Sequence, residues 1–328
     1  MTAFVTGGSG FVGGAVIRAL VDEGRPVRAL ARSAAAAASA RALGAEPVAG
    51  ELLDRTGLAG AMRGSSVAFH VAGINQMCPR DPGKLYATNV EGAATAVHAA
   101  ADAGVTRVVL TSSSASIGEA SGTVGREDTR HRGTFLSHYE RSKFLGERAA
   151  RAAAEERGIE LVTVNPSSVQ GPGRTTGSAR ILLHAARART TVLLDTSFSI
   201  VDVDDCATGH VLAAARGIPG ERYLLSAGSL TMRSAIEMLR RLTGHPRRIV
   251  WVPRAIVRAV MPLARVRTVG RDDAAVCPAL LRTLLHGHRY DGSRATRDLG
   301  LTYRPLEETL ERVLAWYRAR GMLPEPAA

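Results

Sequence analysis

Two kinds of apolar pattern alternate along the first half of the chain. Short runs that are apolar on both faces occur at residues 3–6, 26–31, 46–49, 67–71, 107–111 and 160–164. Between them, apolar residues recur every three or four positions over 11–23, 34–43, 58–62, 84–103 and 139–157. Continuously apolar strands separated by amphipathic helices predict a parallel sheet covered on both faces. The fold class is therefore α/β, a doubly wound parallel sheet of the dinucleotide-binding kind. Beyond Pro166 the rhythm is less regular, with prolines, glycines and short helical patterns over 233–243 and 306–320. This predicts a nucleotide-binding domain over 1–165, with a segment returning to it near 198–216. A smaller C-terminal α/β substrate domain then takes most of 166–328.

The first strand runs into Thr6-Gly7-Gly8-Ser9-Gly10-Phe11-Val12-Gly13 and then a helix. In that setting Gly7 allows the tight turn, Gly10 lets backbone approach a pyrophosphate, and Gly13 lets the helix pack on the sheet. The free N–H groups and positive dipole end of the helix suit phosphate. NAD sites place an acidic residue at the end of the second strand for the ribose diol. Here that strand ends Ala31-Arg32-Ser33 with no carboxylate. Arg32, with Arg28 or Ser33 as further candidates, suits a 2′-phosphate. The expected cofactor is NADP (as NADPH), with NAD as the alternative.

Tyr139 and Lys143 are spaced i, i+4 and share one helix face. A nearby ammonium is expected to lower the phenol pKa and fit it for proton transfer. The fifth strand ends in Thr111-Ser112-Ser113-Ser114 at the sheet edge where such folds bind ligands. One of these hydroxyls is the candidate for orienting a substrate carbonyl.

Together these segments resemble the extended branch of the short-chain dehydrogenase/reductases, the NAD-dependent epimerase/dehydratase family. The resemblance rests on the glycine turn, on Phe69-His70-Val71-Ala72-Gly73, on Asn89-Val90-Glu91-Gly92, and on Thr111-Ser112-Ser113. It extends through Tyr139 with Lys143, Asn165-Pro166-Ser167-Ser168-Val169-Gln170-Gly171-Pro172, Val201 to Asp205, Tyr290 to Arg294 and Asp298-Leu299-Gly300. Within the branch the chain is similar to dihydroflavonol-reductase-like and hopanoid-associated epimerase-like proteins. The resemblance implies that Tyr139 is the proton donor-acceptor and that Lys143 lowers its pKa and holds the nicotinamide ribose. It implies Ser113 as the catalytic hydroxyl, with Ser112 and Ser114 as fallbacks, and Asn89 as the fourth, structural member. The implied cofactor contacts are Gly7, Ser9, Gly10, Phe11, Val12, Gly13, Arg32, Val71, Ala72, Gly73, Thr111, Ser112, Pro166, Ser168 and Val169. Glu51 with Leu52 stands where relatives carry an Asp that caps the adenine amine, so adenine is expected to sit somewhat differently. Dimers in the family pair helices corresponding to 84–103 and 139–157. The alanine face Ala93, Ala96, Ala100 is the candidate surface for a homodimer.

Composition changes this picture in three places. The net charge is +12, but the basic residues are dispersed and no aromatics are interleaved with them, so no nucleic-acid partner is expected. Only Lys84 and Lys143 among the 42 basic residues are lysines, which makes the retained lysine at 143 informative. Cys78, Cys206 and Cys277 are isolated, which predicts free thiols, a reducing compartment and no metal. The opening strand leaves no room for a signal peptide, and no apolar run is long enough to span a membrane, so a cytoplasmic protein is expected.

The expected chemistry is reduction of a ketone or aldehyde to an alcohol, with a small-molecule carbonyl or alcohol as substrate. Alternatives are a nucleotide-sugar epimerase with tightly held NAD, a 3β-hydroxysteroid-type dehydrogenase, and a non-catalytic NADP-binding sensor. The pair Asp-Glu used by sugar dehydratases is absent beside Thr111. The loop 119–138, the segment Trp251 to Val269, Met77 and Cys78 are candidate pocket walls. Asp202 and Asp205 are expected to cap a helix over 207–216.

Overall fold

A computed structural model describes residues 2–188, 190–244, 248–267 and 277–323. Its strands are β1 (Ala3–Thr6), β2 (Val27–Ala31), β3 (Glu46–Ala49), β4 (Val67–His70), β5 (Arg107–Thr111), β6 (Glu160–Pro166), β7 (Ser168–Gln170), β8 (Thr190–Leu194), β9 (Ser197–Asp202), β10 (Arg222–Leu225), β11 (Gly228–Thr231) and β12 (Arg248–Val252). Its helices are α1 (Phe11–Asp22), α2 (Ala34–Ala42), α3 (Arg55–Met62), α4 (Pro82–Tyr86), α5 (Gly92–Asp102), α6 (His138–Arg157), α7 (Ser178–Arg187), α8 (Val203–Arg216), α9 (Met232–Thr243), α10 (Arg254–Arg267), α11 (Pro278–His286) and α12 (Leu306–Ala319).

The main sheet has seven strands in the order β10-β6-β5-β4-β1-β2-β3, and every neighbouring pair is parallel. Chain order reverses between β1 and β4, which opens a crevice at their carboxyl ends. This is a Rossmann-type α/β fold. The two-residue period of each strand sends side chains to opposite faces. Val5, Phe69 and Val109 enter one apolar cluster with α1 and α8. Phe4, Ala68, Val108 and Leu110 enter another with α3, α5 and α6. A three-stranded sheet (β11-β9-β7) and a parallel pair (β12-β8) make up the rest.

The helix expected over 84–103 is interrupted by a π-helical turn over Ala87–Glu91, and Asn89 sits on it. Such turns displace one residue from the regular ladder and are frequent at functional sites. The alanine face proposed for dimer contact is inside the molecule instead. Ala93, Ala96 and Ala100 are at most 3% exposed and pack with Ala150, Ala153 and Ala154 of α6. Small side chains let α5 and α6 approach closely, and that face is not available to a second copy.

The acidic run after β9 behaves as helix chemistry. Asp202 is the N-cap of α8 and accepts from the Asp204 N–H at 2.8 Å, while Asp205 accepts from the Arg304 N–H at 2.7 Å. Asp202 is fully buried, and Arg304 and Arg312 each reach it within 3.0 Å. α8 begins at Val203, four residues before the expected start at 207.

Cys78 and Cys277 form a disulfide, with Cα atoms 6.4 Å apart and a sequence separation of 199. This corrects the expectation of free thiols at these two positions; Cys206 is the buried free one. Spacing hid the pair because the fold, not the local chain, brings α11 against the loop after β4. Thr283 on α11 also reaches Met77 Sδ at 3.8 Å. Loop-closure entropy for so long a separation is worth up to about 5 kcal/mol. Reduction, or the double change Cys78→Ala with Cys277→Ala, is expected to lower the melting temperature by several degrees. Thermal melting with and without reductant checks this, and an unreduced peptide map should contain the Cys78–Cys277 cross-link.

Candidate active site

The glycine turn after β1 has the geometry of a phosphate cradle. Gly7 has φ +72°, and a Cβ there would stand 2.6 Å from the Ala72 nitrogen. A Cβ on Gly13 would stand 2.1 Å from the Gly7 oxygen, so α1 can start against the turn only without a side chain. Gly10 differs from both. Its Cβ would meet only the Gly7 oxygen, at 3.1 Å, and the remaining space is open. Gly10 is the N-cap of α1, no side chain caps the helix, and its first turn holds no acidic residue. The first N–H groups of α1, from Phe11 onward, therefore lack intrahelical acceptors and face the crevice mouth as anion donors. The residues present fit a dinucleotide pyrophosphate.

Across the crevice α6 carries Tyr139 and Lys143 to the carboxyl end of β5. Ser137 caps α6 by accepting from the Glu140 N–H at 3.1 Å. Lys143 Nζ donates to the Thr111 carbonyl at 2.8 Å. Burial, countered in part by Glu147, lowers the Lys143 pKa to about 8. Of the three consecutive serines, Ser113 is the one that acts on the Tyr139 phenol, favouring its ionised form. Ser112 donates to Ser116 Oγ at 3.3 Å, and Ser114 lies toward Tyr290 instead. Ser113 is set by a short 3₁₀ turn over Ser114–Ile117, which it caps by accepting from the Ala115 N–H at 3.2 Å.

The expectation of a lowered Tyr139 pKa is corrected. Burial raises it, and Ser113 and Arg174 oppose that rise. Desolvation penalises the phenolate more than the neighbouring charge favours it. At neutral pH the free protein holds Tyr139 as a protonated phenol.

Asn89 is 4% exposed and acts as a clamp. Its Oδ1 accepts from the Ile74 N–H at 2.8 Å, and its Nδ2 donates to the Ile74 carbonyl and to Ser142 Oγ, each at 2.9 Å. Asn89 thus fixes Val71 to Ile74, the strand extension that forms the crevice wall, to the base of α6. A polar chamber of about 10 Å³, lined by Asn89, Lys143, His70, Ser112 and Glu147, lies behind the ammonium. Its size is near the lower limit for one water. His70, held by Thr6 Oγ1 at 2.9 Å, is driven to a pKa of about 3 by burial and by Lys143, so it adds no charge.

Arg32 is exposed just past β2 and makes no hydrogen bond or ion pair among the described residues. Arg28 is engaged with the Arg63 carbonyl and Glu46, and Ser33 caps α2. Glu51 is exposed past β3, while Leu52 packs where a Cβ on Gly92 would lie, 2.7 Å from its Cδ2. Pro166 and Val169 are buried; the Val169 carbonyl accepts from Arg174 at 2.6 Å.

Arg174 had no signal in so arginine-rich a chain, yet it joins both halves of the site. Its guanidinium lies 5.5 Å from the Phe11 ring centroid and influences Tyr139. The candidate pocket walls are divided. Met77 and Cys78 contact α11, and the loop 119–138 reaches it too, because Arg282 donates to the Leu136 carbonyl at 2.9 Å. Trp251 instead packs in a C-terminal apolar cluster, Ile256 and Val260 are exposed on α10, and Val269 lies outside the described residues.

The profile of the NAD dependent epimerase/dehydratase family matches residues 3–226. The sterol demethylase protein B of Methylococcus capsulatus is 32% identical over 330 residues, covering 98% of this chain and 100% of that protein. The 4-hydroxy-2-methyl-3-oxo-4-farnesyl-3,4-dihydroquinoline-1-oxide ketoreductase of Stigmatella aurantiaca is 31% identical over 314 residues, covering 92% and 91%. The crystal structure of gox2253 superposes with a TM-score of 0.87 at 29% identity, covering 98% of this chain and 99% of that one. No helix among the described residues is long and apolar enough to cross a membrane.

Because the chain holds only two lysines, the Lys143 titration is directly measurable. After reductive ¹³C-methylation, one lysine signal should titrate near pH 8. The signal near 8 should vanish in Lys143→Arg. The folded amine sheds its proton more readily than the unfolded one. The cost of burying the ammonium therefore falls, and stability rises, as pH climbs from about 8 toward 10.5.

Proposed function

The chain belongs to the NAD dependent epimerase/dehydratase family, and from that membership we propose that it is an NADP(H)-dependent oxidoreductase that reduces a ketone or aldehyde to an alcohol. The observation that carries this reading is the meeting of Tyr139 with Ser113 and, from the same helix face, Lys143 at the carboxyl end of β5. The cofactor would be held by the turn from Gly7 to Gly13, by Lys143, and at its far end by Arg32. When bound, it supplies the hydride that the carbonyl carbon accepts.

The chain supplies position and a proton. The Ser113 hydroxyl donates to the carbonyl oxygen and fixes its direction. Tyr139, protonated because burial raises its pKa, delivers its phenolic proton to the same oxygen as charge builds there. The resulting phenolate is stabilised by Ser113, Arg174 and the Lys143 ammonium. Lys143 and the polar chamber behind it then return a proton to the phenol. Residues 1–165 and the returning segment supply the nucleotide site, and most of 166–328 closes over the substrate. The ketoreductase relative and the sterol-related relative both support a bulky, largely apolar carbonyl compound as the substrate.

Consumption of NADPH and NADH against ketones, aldehydes and nucleotide sugars tests this. NADPH oxidation with a carbonyl panel is expected. Tyr139→Phe should lower kcat by about 10²–10⁴, the usual scale of general acid catalysis, and undiminished turnover would remove the acid role. Arg32→Ala should weaken NADPH binding by about 10–100-fold, the worth of a charge-assisted contact, and leave NADH binding unchanged. A variant that still prefers the phosphorylated cofactor refutes that assignment. NAD retained through purification, with activity on nucleotide sugars alone, would mark an epimerase.

A further inference from the structure

Glu119, His286 and His288 converge from distant parts of the chain, outside the chemistry described above. Glu119 directly follows Gly118, the left-handed residue that closes the turn carrying Ser113. His286 is the last residue of α11, and His288 lies just beyond, anchored by its N–H to the Ser197 carbonyl at 2.8 Å. Glu119 is 1% exposed and the His286 side chain 8%. Glu119 Oε1 stands 2.6 Å from His288 Nδ1 and 3.6 Å from His286 Nε2. The three ligand-type atoms lie within 4.8 Å of one another.

Two buried atoms in this cluster are left without hydrogen bonds. Glu119 Oε2 and His286 Nε2 each lack a partner among the described residues. A carboxylate can only accept, and so can an imidazole nitrogen that carries no proton. His288 Nδ1 is shared between Glu119 Oε1 at 2.6 Å and the Tyr290 hydroxyl at 3.0 Å, which leaves Glu119 Oε2 and His286 Nε2 without a partner. A single cation between the carboxylate and the two imidazoles would satisfy both.

We propose that Glu119, His286 and His288 bind one divalent transition-metal ion of the zinc class, tying the segment after the catalytic strand to the end of α11. Two imidazoles and one carboxylate, with no thiolate, suit zinc rather than magnesium or calcium. Tetrahedral ligands at normal zinc distances lie about 3.3 Å apart, so the cluster needs only side-chain rotation to close on an ion. Outer contacts hold the ligands in place: Ser121 Oγ donates to the His286 carbonyl at 3.1 Å, and Tyr290 stacks on His288 at 5.9 Å. A polar cavity of about 270 Å³, lined by His286, Ser121, Thr196 and Arg254, provides an entry path and room for a fourth, water ligand.

The test uses the full chain with its disulfide intact. The protein is stripped with chelator, then titrated with Zn²⁺ and analysed for bound metal. One zinc per chain is expected, together with a raised melting temperature. Co²⁺ should give a weak visible spectrum without the near-ultraviolet band of a thiolate ligand. His288→Gln and Glu119→Gln should lose more than the roughly 10–100-fold in affinity that an outer contact costs. Substoichiometric uptake by wild type, a thiolate band, or equal thermal shifts in wild type and His288→Gln would each overturn the site. The wild-type arms decide the matter even where a variant at buried Glu119 does not fold.

Discussion

The site depends on how closely α6 approaches the chain that carries Asn89. A side chain at Gly146 would stand 2.0 Å from the Asn89 carbonyl oxygen, so only a glycine lets the two backbones meet. Lys143 lies about one helical turn before that contact and Tyr139 about two. Any added bulk at 146 would lift both from β5 and break the Lys143–Thr111 bond. On the next position Glu147 fastens the helix to the sheet, accepting from Ser116 Oγ at 2.9 Å and Asn165 Nδ2 at 3.0 Å. Crevice chemistry is thus set by backbone proximity first and by side-chain identity second.

Much of the nucleotide half was legible because its strands are buried on both faces. Consecutive apolar residues such as Ala3-Phe4-Val5 and Val108-Val109-Leu110 suit a parallel sheet covered on both faces. The glycine turn was legible for a related reason, since backbone collisions leave a fixed spacing in sequence. What was not legible is mostly tertiary. The residues alone left Ser112, Ser113 and Ser114 open and only the family resemblance named Ser113; the 3₁₀ turn it caps is what sets it beside Tyr139. The direction of the Tyr139 shift needed burial, which no spacing reports. Short β7, β9 and β11 carry three to six residues each, too few for a period to emerge.

The second half meets the first through both apolar and polar contacts: Val169, Tyr223, Leu225, Leu299 and Leu301 enter the apolar cluster of the main sheet. A further apolar cluster, around Ile236, Leu239, Leu314 and Tyr317, lies apart from those of the main sheet. Glu127 accepts from the Leu224 N–H at 2.9 Å, Arg126 reaches Asp291 at 3.1 Å, and buried Asp202 is paired by Arg304 and Arg312. Buried charges persist only when paired, so these contacts fix orientation more than they add stability. A substrate lying between the two halves would meet a wall whose shape is set by hydrogen bonds.

The bond between Cys78 and Cys277 also changes the connectivity of the molecule. It closes residues 78 to 277 into a covalent ring that holds Ser113, Tyr139, Lys143 and Arg174. The glycine turn and Arg32 hang from one end of that ring, and His286 and His288 from the other. A protease cut inside the ring, for example in the exposed stretch at 120–124, leaves a single covalent object. The nick stays invisible on an unreduced gel and releases two fragments once the sulfur bridge is opened.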